Sequence, residues 1–147
     1  MSSVRIGPDP RLVYLDTSAL VKIVVEETET SVLHSWIDEH PNRVSSIVTS
    51  IELRRAVRRG LTGGFQAKAS GLEREADVAL DAIQLLALDQ PIVEMASRLD
   101  PATLRSLDAI HLATALSVDD LGAFVTYDDR LSDAATRAGL PVVAPGR

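Results

Sequence analysis

Four carboxylates in this 147-residue chain occupy positions where chemistry could be done: Asp16, Glu52, Asp108 and Asp128. Asp16 closes the apolar run Leu12-Val13-Tyr14-Leu15 and precedes Thr17-Ser18. An Asp in that place commonly caps a helix by accepting from its first N–H groups. Thr17 or Ser18 could cap instead and free Asp16 for other work. Glu52 stands three residues after Thr49, which is the spacing of a capping box. The other reading projects it from the first turn of a helix, toward the side that Asp16 faces. Asp108 lies among Leu104, Leu107, Ala109, Ile110, Leu112, Ala113, Ala115 and Leu116. At about 100° per residue it falls between Leu104 and Leu112 on an apolar helix. A carboxylate there must be ion-paired, metal-bound or protonated. Arg105 is the local pairing candidate, although base before acid is the less favourable order on a helix. Asp128 follows Val125-Thr126 and opens another helix, so an N-cap is again the local reading. Asp129 beside it suits the positive end of the helix dipole.

Taken together the acids read differently. If the strands that precede them are neighbours, all four converge on one rim. Like charges that close repel strongly at low dielectric. A hard divalent cation with oxygen ligands, Mg²⁺ or Mn²⁺, removes the repulsion. Such a cation can orient a water, lower its pKa and offset charge on a phosphoryl transition state. Glu52 could then position that water or take its proton. The chain has no cysteine, which excludes thiolate zinc, iron–sulfur ligation and a cysteine nucleophile. His34, His40 and His111 lack a zinc-like spacing. His111, one turn from Asp108, reads as a packed or supporting residue rather than a ligand.

The elements that must position these residues alternate along the chain. Leu12–Leu15 predicts a buried strand feeding a helix from Ala19 to about Val25. A second helix is expected over Thr28–Glu39, a strand over Arg43–Val48, and a helix over Ser50–Arg59 stopped by Gly60, Gly63 and Gly64. Gln66–Ala82 is helical in composition. Ile83–Leu88 reads as a strand, with buried helix as the alternative for so short a run. Helices over Pro91–Leu99 and Thr103–Ser117, a strand over Ala123–Thr126, a helix over Asp129–Ala138 and a strand over Pro141–Val143 complete the pattern. Apolar strands alternating with helices indicate a parallel sheet covered on both faces. Function in such sheets gathers at the carboxyl ends of the strands.

Length suits one domain, expected over residues 12–147 behind a loose tail at 1–11. No stretch approaches the ~18–20 apolar residues of a membrane helix, and Met1–Arg11 has no apolar signal core. A cytoplasmic location without membrane contact is the expectation. The net charge of −6 disfavours a nucleic-acid binder that relies on a generally basic surface, unless the charge is uneven or a cation intervenes. Arg54, Arg55, Arg58 and Arg59 are such an uneven patch on the Glu52 helix. Leu53, Ala56 and Val57 share its apolar arc, which places Arg55 and Arg59 on the Glu52 side and Arg54 and Arg58 further round. The first pair could grip phosphates or a protein partner; a solvated basic face is the equal alternative.

Four segments carry a family resemblance: Val13-Tyr14-Leu15-Asp16-Thr17-Ser18-Ala19-Leu20, Ser50-Ile51-Glu52-Leu53, Leu107-Asp108-Ala109-Ile110-His111-Leu112-Ala113-Thr114-Ala115, and Thr126-Tyr127-Asp128-Asp129-Arg130-Leu131. In order, spacing and total length the chain resembles the PIN-domain ribonucleases, and among them the VapC-like toxins of toxin–antitoxin pairs. The resemblance covers about Leu12 to Val143. It implies a three-layer α/β/α fold on a parallel sheet of four or five strands, a homodimer, Mg²⁺-dependent endoribonuclease activity on RNA, and a VapB-like antitoxin that covers the active-site groove. By position it implies Asp16, Glu52, Asp108 and Asp128 as the acidic site. Asp16, Asp108 and Asp128 would be metal ligands, and Thr17, Ser18 and Thr126 would support them by hydrogen bonds. Asp129 replaces Asp128 if the register differs by one. Two rival classes fit less well. A phospho-accepting receiver domain needs a lysine after a late strand, and the chain's two lysines are Lys22 and Lys68. A phosphatase with an aspartyl nucleophile needs Asp-x-Asp where this chain has Asp16-Thr17-Ser18.

Overall fold

The structure, a computed structural model, describes residues 9–60 and 66–147. Strand β1 (Val13–Leu15) is followed by α1 (Thr17–Val24) and α2 (Thr30–Asp38). Then come β2 (Arg43–Ser46), α3 (Val48–Gly60), α4 (Gln66–Asp81), β3 (Gln84–Leu86) and α5 (Gln90–Arg98). The chain ends with α6 (Ser106–Leu116), β4 (Ala123–Val125), α7 (Asp129–Arg137) and β5 (Val142–Val143). The five strands form one parallel sheet in the order β3-β2-β1-β4-β5. Every pairing is parallel, as the strand–helix alternation predicts.

The sheet is covered on both faces because successive strand residues point to opposite sides. Leu15 and Val125 turn to one face and pack with Leu20, Leu33, Leu53 and Leu80 from α1, α2, α3 and α4. Tyr14, Val44 and Phe124 turn to the other and meet Leu112 and Ala115 of α6 and Leu131 and Ala134 of α7. The result is a three-layer α/β/α sandwich. β1 sits at its centre, and the strand order reverses there: β2 and β3 extend one way, β4 and β5 the other. Crevices at such reversals are where open α/β sheets place their sites.

Several boundaries differ from the sequence expectation, each for a local reason. β2 stops at Ser46, whose hydroxyl accepts from the Val48 N–H at 3.2 Å, so Val48 starts a helix instead of ending a strand. Thr49 therefore lies inside α3 and does not cap it. Thr103–Arg105 are not helical: the Leu104 N–H closes a turn on the Pro101 carbonyl at 2.9 Å, and Arg105 is extended. Most of the expected tail, and Gly63 and Gly64, fall outside the described residues. Asp9–Arg11 are tied down, since the Asn42 side chain donates to the Pro10 carbonyl at 2.6 Å and Arg11 pairs with Asp9 at 2.8 Å. Among the described residues no helix is long and apolar enough to cross a membrane.

Candidate active site

β2, β1 and β4 are adjacent, so the residues that follow them share one edge of the sheet. Asp16 follows β1 and is 3% exposed. It is the N-cap of α1: Oδ1 accepts from the Ala19 N–H at 3.0 Å and from the Ser18 hydroxyl at 2.6 Å. Oδ2 accepts from the Thr126 hydroxyl at 2.6 Å. Thr17 and Ser18 thus do not relieve Asp16 of capping; Ser18 braces it instead. Two of these hydroxyls also bind the loop after β4. Ser18 Oγ accepts from the Tyr127 N–H at 2.9 Å, and Thr126 Oγ1 from the Asp128 N–H at 3.1 Å. Burial pushes the Asp16 carboxyl above its ordinary value, and its bonds to Ser18 and Thr126 offset this only in part.

Glu52 is not in a capping box. With Thr49 drawn into α3, the Thr49 hydroxyl instead bonds Ser45 at 2.8 Å, and Glu52 turns into the site. Glu52 Oε1 accepts from the Thr17 hydroxyl at 2.9 Å and from His111 Nε2–H at 2.7 Å. Burial raises its pKa, but the bonds from His111 and Thr17 outweigh that and hold the carboxyl below its usual range. Among the described residues Oε2 takes no hydrogen bond, which leaves it available to a water.

Asp108 lies in the first turn of α6, half-buried at the rim rather than sealed in an apolar face. No ion pair with Arg105 forms. Its pKa is raised first by burial and then by the charge of Asp128, with Asp16 adding to it; His111 and Arg105 act against the rise. Asp108 therefore feels the charges of both Asp128 and Asp16. Asp128 caps α7 by accepting from the Leu131 N–H at 2.9 Å. Asp129 is 98% exposed and approaches Arg147 at 3.7 Å, whereas it is the charge of Asp128 that acts on Asp108.

The residue that sequence reasoning undervalued is His111, 2% exposed. Its Nδ1 pairs with the Tyr14 hydroxyl at 2.6 Å while Nε2 carries the proton that Glu52 accepts. Tyr14 is raised far above its usual pKa, chiefly by burial, and so keeps its proton. The one sequence signal was a histidine inside an otherwise apolar helix, one turn after Asp108. Arg55 and Arg59 line the groove that also holds Thr17 and Glu52. Arg54 and Arg58 line a different one against α4, where Arg54 pairs with Asp77 at 3.1 Å.

Among the described residues no three His, Asp or Glu side chains converge into a ready-made metal cage. The carboxylates nevertheless fit a hard cation that retains several waters and uses only one or two protein carboxylates. A cation there would relieve the repulsion that raises Asp108. Zinc would want a closed set of nitrogen and sulfur ligands, which these residues do not offer.

The comparisons with known proteins agree with this fold. The PIN domain family model matches residues 13–136, and the chain belongs to the PIN-domain family. Its relatives lie in the VapC branch of that family. It is 39% identical to Ribonuclease VapC47 of Mycobacterium tuberculosis, over 92% of this chain and 98% of that one. It is 42% identical to Ribonuclease VapC46 of the same species, over 90% and 97%. Among solved structures, FitAcB from Neisseria gonorrhoeae superimposes with a TM-score of 0.69 at 20% identity, covering 90% of this chain and 97% of that one. A toxin–antitoxin complex from Klebsiella pneumoniae gives 0.65 at 23% identity, covering 90% and 97%.

Proposed function

We propose that this chain is a metal-dependent endoribonuclease toxin that hydrolyses RNA phosphodiester bonds at Asp16, Glu52, Asp108 and Asp128. The observation that carries the reading is that Asp108, at the reversal point of the sheet, is raised by burial and by the charges of Asp128 and Asp16, beside Glu52, whose carboxyl is held below its ordinary range. Relatives about 40% identical over nine-tenths of the chain bear the name ribonuclease, which supports RNA as substrate. Asp16, Asp108 and Asp128 are the residues that would hold Mg²⁺, one or two of them directly and the rest through its waters, with Mn²⁺ able to substitute. When bound, the ion supplies a water of lowered pKa and charge to offset that of the attacked phosphate.

The chain's own groups do the rest. Ser18 and Thr126 fix both oxygens of Asp16, so the carboxylate needs little reorganisation on binding. His111 and Thr17 occupy Glu52 Oε1, so Oε2 is the atom that orients a water and takes its proton. Structural neighbours solved as toxin–antitoxin complexes support a VapB-like antitoxin as the neutralising partner. A cytoplasmic homodimer completes the reading.

The test is digestion of total RNA with Mg²⁺, with Mn²⁺ and with chelator, beside Asp16→Asn. Cleavage is expected with either metal, and none with chelator or with the variant. Expression in a bacterium lacking the antitoxin should arrest growth, and Asp16→Asn should abolish the arrest. Arrest that survives Asp16→Asn would refute a nucleolytic cause.

A further inference from the structure

A chain of net charge −6 with four acids at its centre repels a polyanion, so an RNA strand must draw its affinity from cations flanking the acids. On the Glu52 flank lie Arg55 and Arg59. The Asp108 flank opens into a second groove of about 350 Å³ between the head of α6 and α7, which presents Arg105, Arg130 and Arg137. Sharing Pro101, Ala134 and Arg137, it runs on into a hollow of about 330 Å³ that adds Arg98 from the end of α5. Among the described residues none of these four arginines is held in an ion pair. Asp100, Asp108 and Asp133 also border the trench, three acids against four arginines. Arg130 and Arg137 are seven residues apart on one face of α7, about 10 Å along the axis, close to the rise of about three stacked nucleotides.

We propose that this trench carries the RNA backbone on the side of the scissile bond away from Glu52, with phosphates held by Arg105, Arg130 and Arg137. The proposal rests on the ribonuclease reading of the acids. An acidic peptide could also pair with arginines. RNA is favoured because the trench opens on Asp108 itself, which places its arginines beside the phosphates next to the one being cut.

Binding of a single-stranded RNA oligonucleotide is measured against salt concentration in the Asp16→Asn protein, with and without Arg130→Gln/Arg137→Gln. At ~0.7 per lost phosphate contact, the double substitution should lower the salt slope by about 1.4. Arg54→Gln/Arg58→Gln, on the α4 side, should leave it unchanged. In the active enzyme, Arg130→Gln/Arg137→Gln should raise KM about tenfold with kcat retained. An unchanged slope, or an equal fall for Arg54→Gln/Arg58→Gln, overturns the trench. So does loss of poly-L-glutamate binding with RNA binding intact, which would assign the arginines to a protein partner. Either result alongside normal Mg²⁺-dependent cleavage leaves the ribonuclease reading standing; absence of cleavage by the unmodified enzyme defeats that reading instead.

Discussion

Tyr14→Phe removes one oxygen atom and leaves the rest of the packing in place. The Tyr14 ring stacks on Phe124 at 5.2 Å, a contact that phenylalanine keeps. What disappears is the bond to His111 Nδ1 at 2.6 Å, in a site where Tyr14 is fully buried and His111 nearly so. A neutral buried hydrogen bond contributes about 1 kcal/mol net, and an orphaned buried partner costs about 1–3 kcal/mol. No other group among the described residues bonds Nδ1, so the cost of an orphaned partner applies, and the expected loss is about 2 kcal/mol. Unfolding a chain of about this length carries an entropy of about 0.3 kcal/mol/K, so Tm should fall by about 6 °C. The assay is thermal unfolding without metal, repeated in a His111→Leu background. There the imidazole is already gone, and the penalty for Tyr14→Phe should shrink below about 1 kcal/mol. A fall in Tm of less than 1 °C, or the same fall in both backgrounds, would show that the Tyr14–His111 bond does not hold the site.

Three further outcomes are expected. Asp108→Asn should abolish cleavage and Mn²⁺ binding yet raise Tm without metal at neutral pH, because Asp108 sits above its ordinary pKa and its charge is disfavoured in the folded chain. That gain should shrink as pH falls through the raised value and vanish below about 3.9, which unfolding melts at stepped pH will show. Glu52→Gln retains an oxygen for His111 and Thr17, so stability should stay within about 1 kcal/mol while turnover falls ~100-fold or more; a large stability loss with normal turnover would make Glu52 structural. Thr126→Val removes the donor to Asp16 Oδ2, a bond to a charged group worth about 1.5–3 kcal/mol. It should weaken Mn²⁺ binding, measured by calorimetry, as well as lower Tm.

The legible part of this molecule was its periodicity. Runs such as Leu12–Leu15 and Ala123–Val125, each closed by polar residues, mark buried strands whatever surrounds them, and the acids after them follow. Asp108 was conspicuous as a charge among apolar neighbours. Local pattern misled where a tertiary partner outbid it. Thr49-x-x-Glu52 has the capping-box spacing, but Ser45 and Thr17 claim the threonine while His111 and Thr17 claim the glutamate. Nor could spacing reveal that Tyr14 meets His111, 97 residues away, since that contact exists only once α6 packs on the sheet. Spacing could not tell Asp128 from Asp129 either; only in the fold does the charge of Asp128 act on Asp108 while Asp129 stands exposed near Arg147.

The central position of the first strand also sets a timetable. β1 and Asp16 leave the ribosome well ahead of β4, and the hydroxyl that fixes Asp16 Oδ2 belongs to Thr126, 110 residues later. At roughly 5–20 residues per second, Asp16 waits about 5–20 s for it. Until then β1 lacks its β4 neighbour, and the rim lacks Asp128. It follows that a chain still being made, or one cut short before β4, cannot assemble its carboxylates. The cell that makes this protein is exposed to its chemistry only once β4 and the residues that follow it have been made.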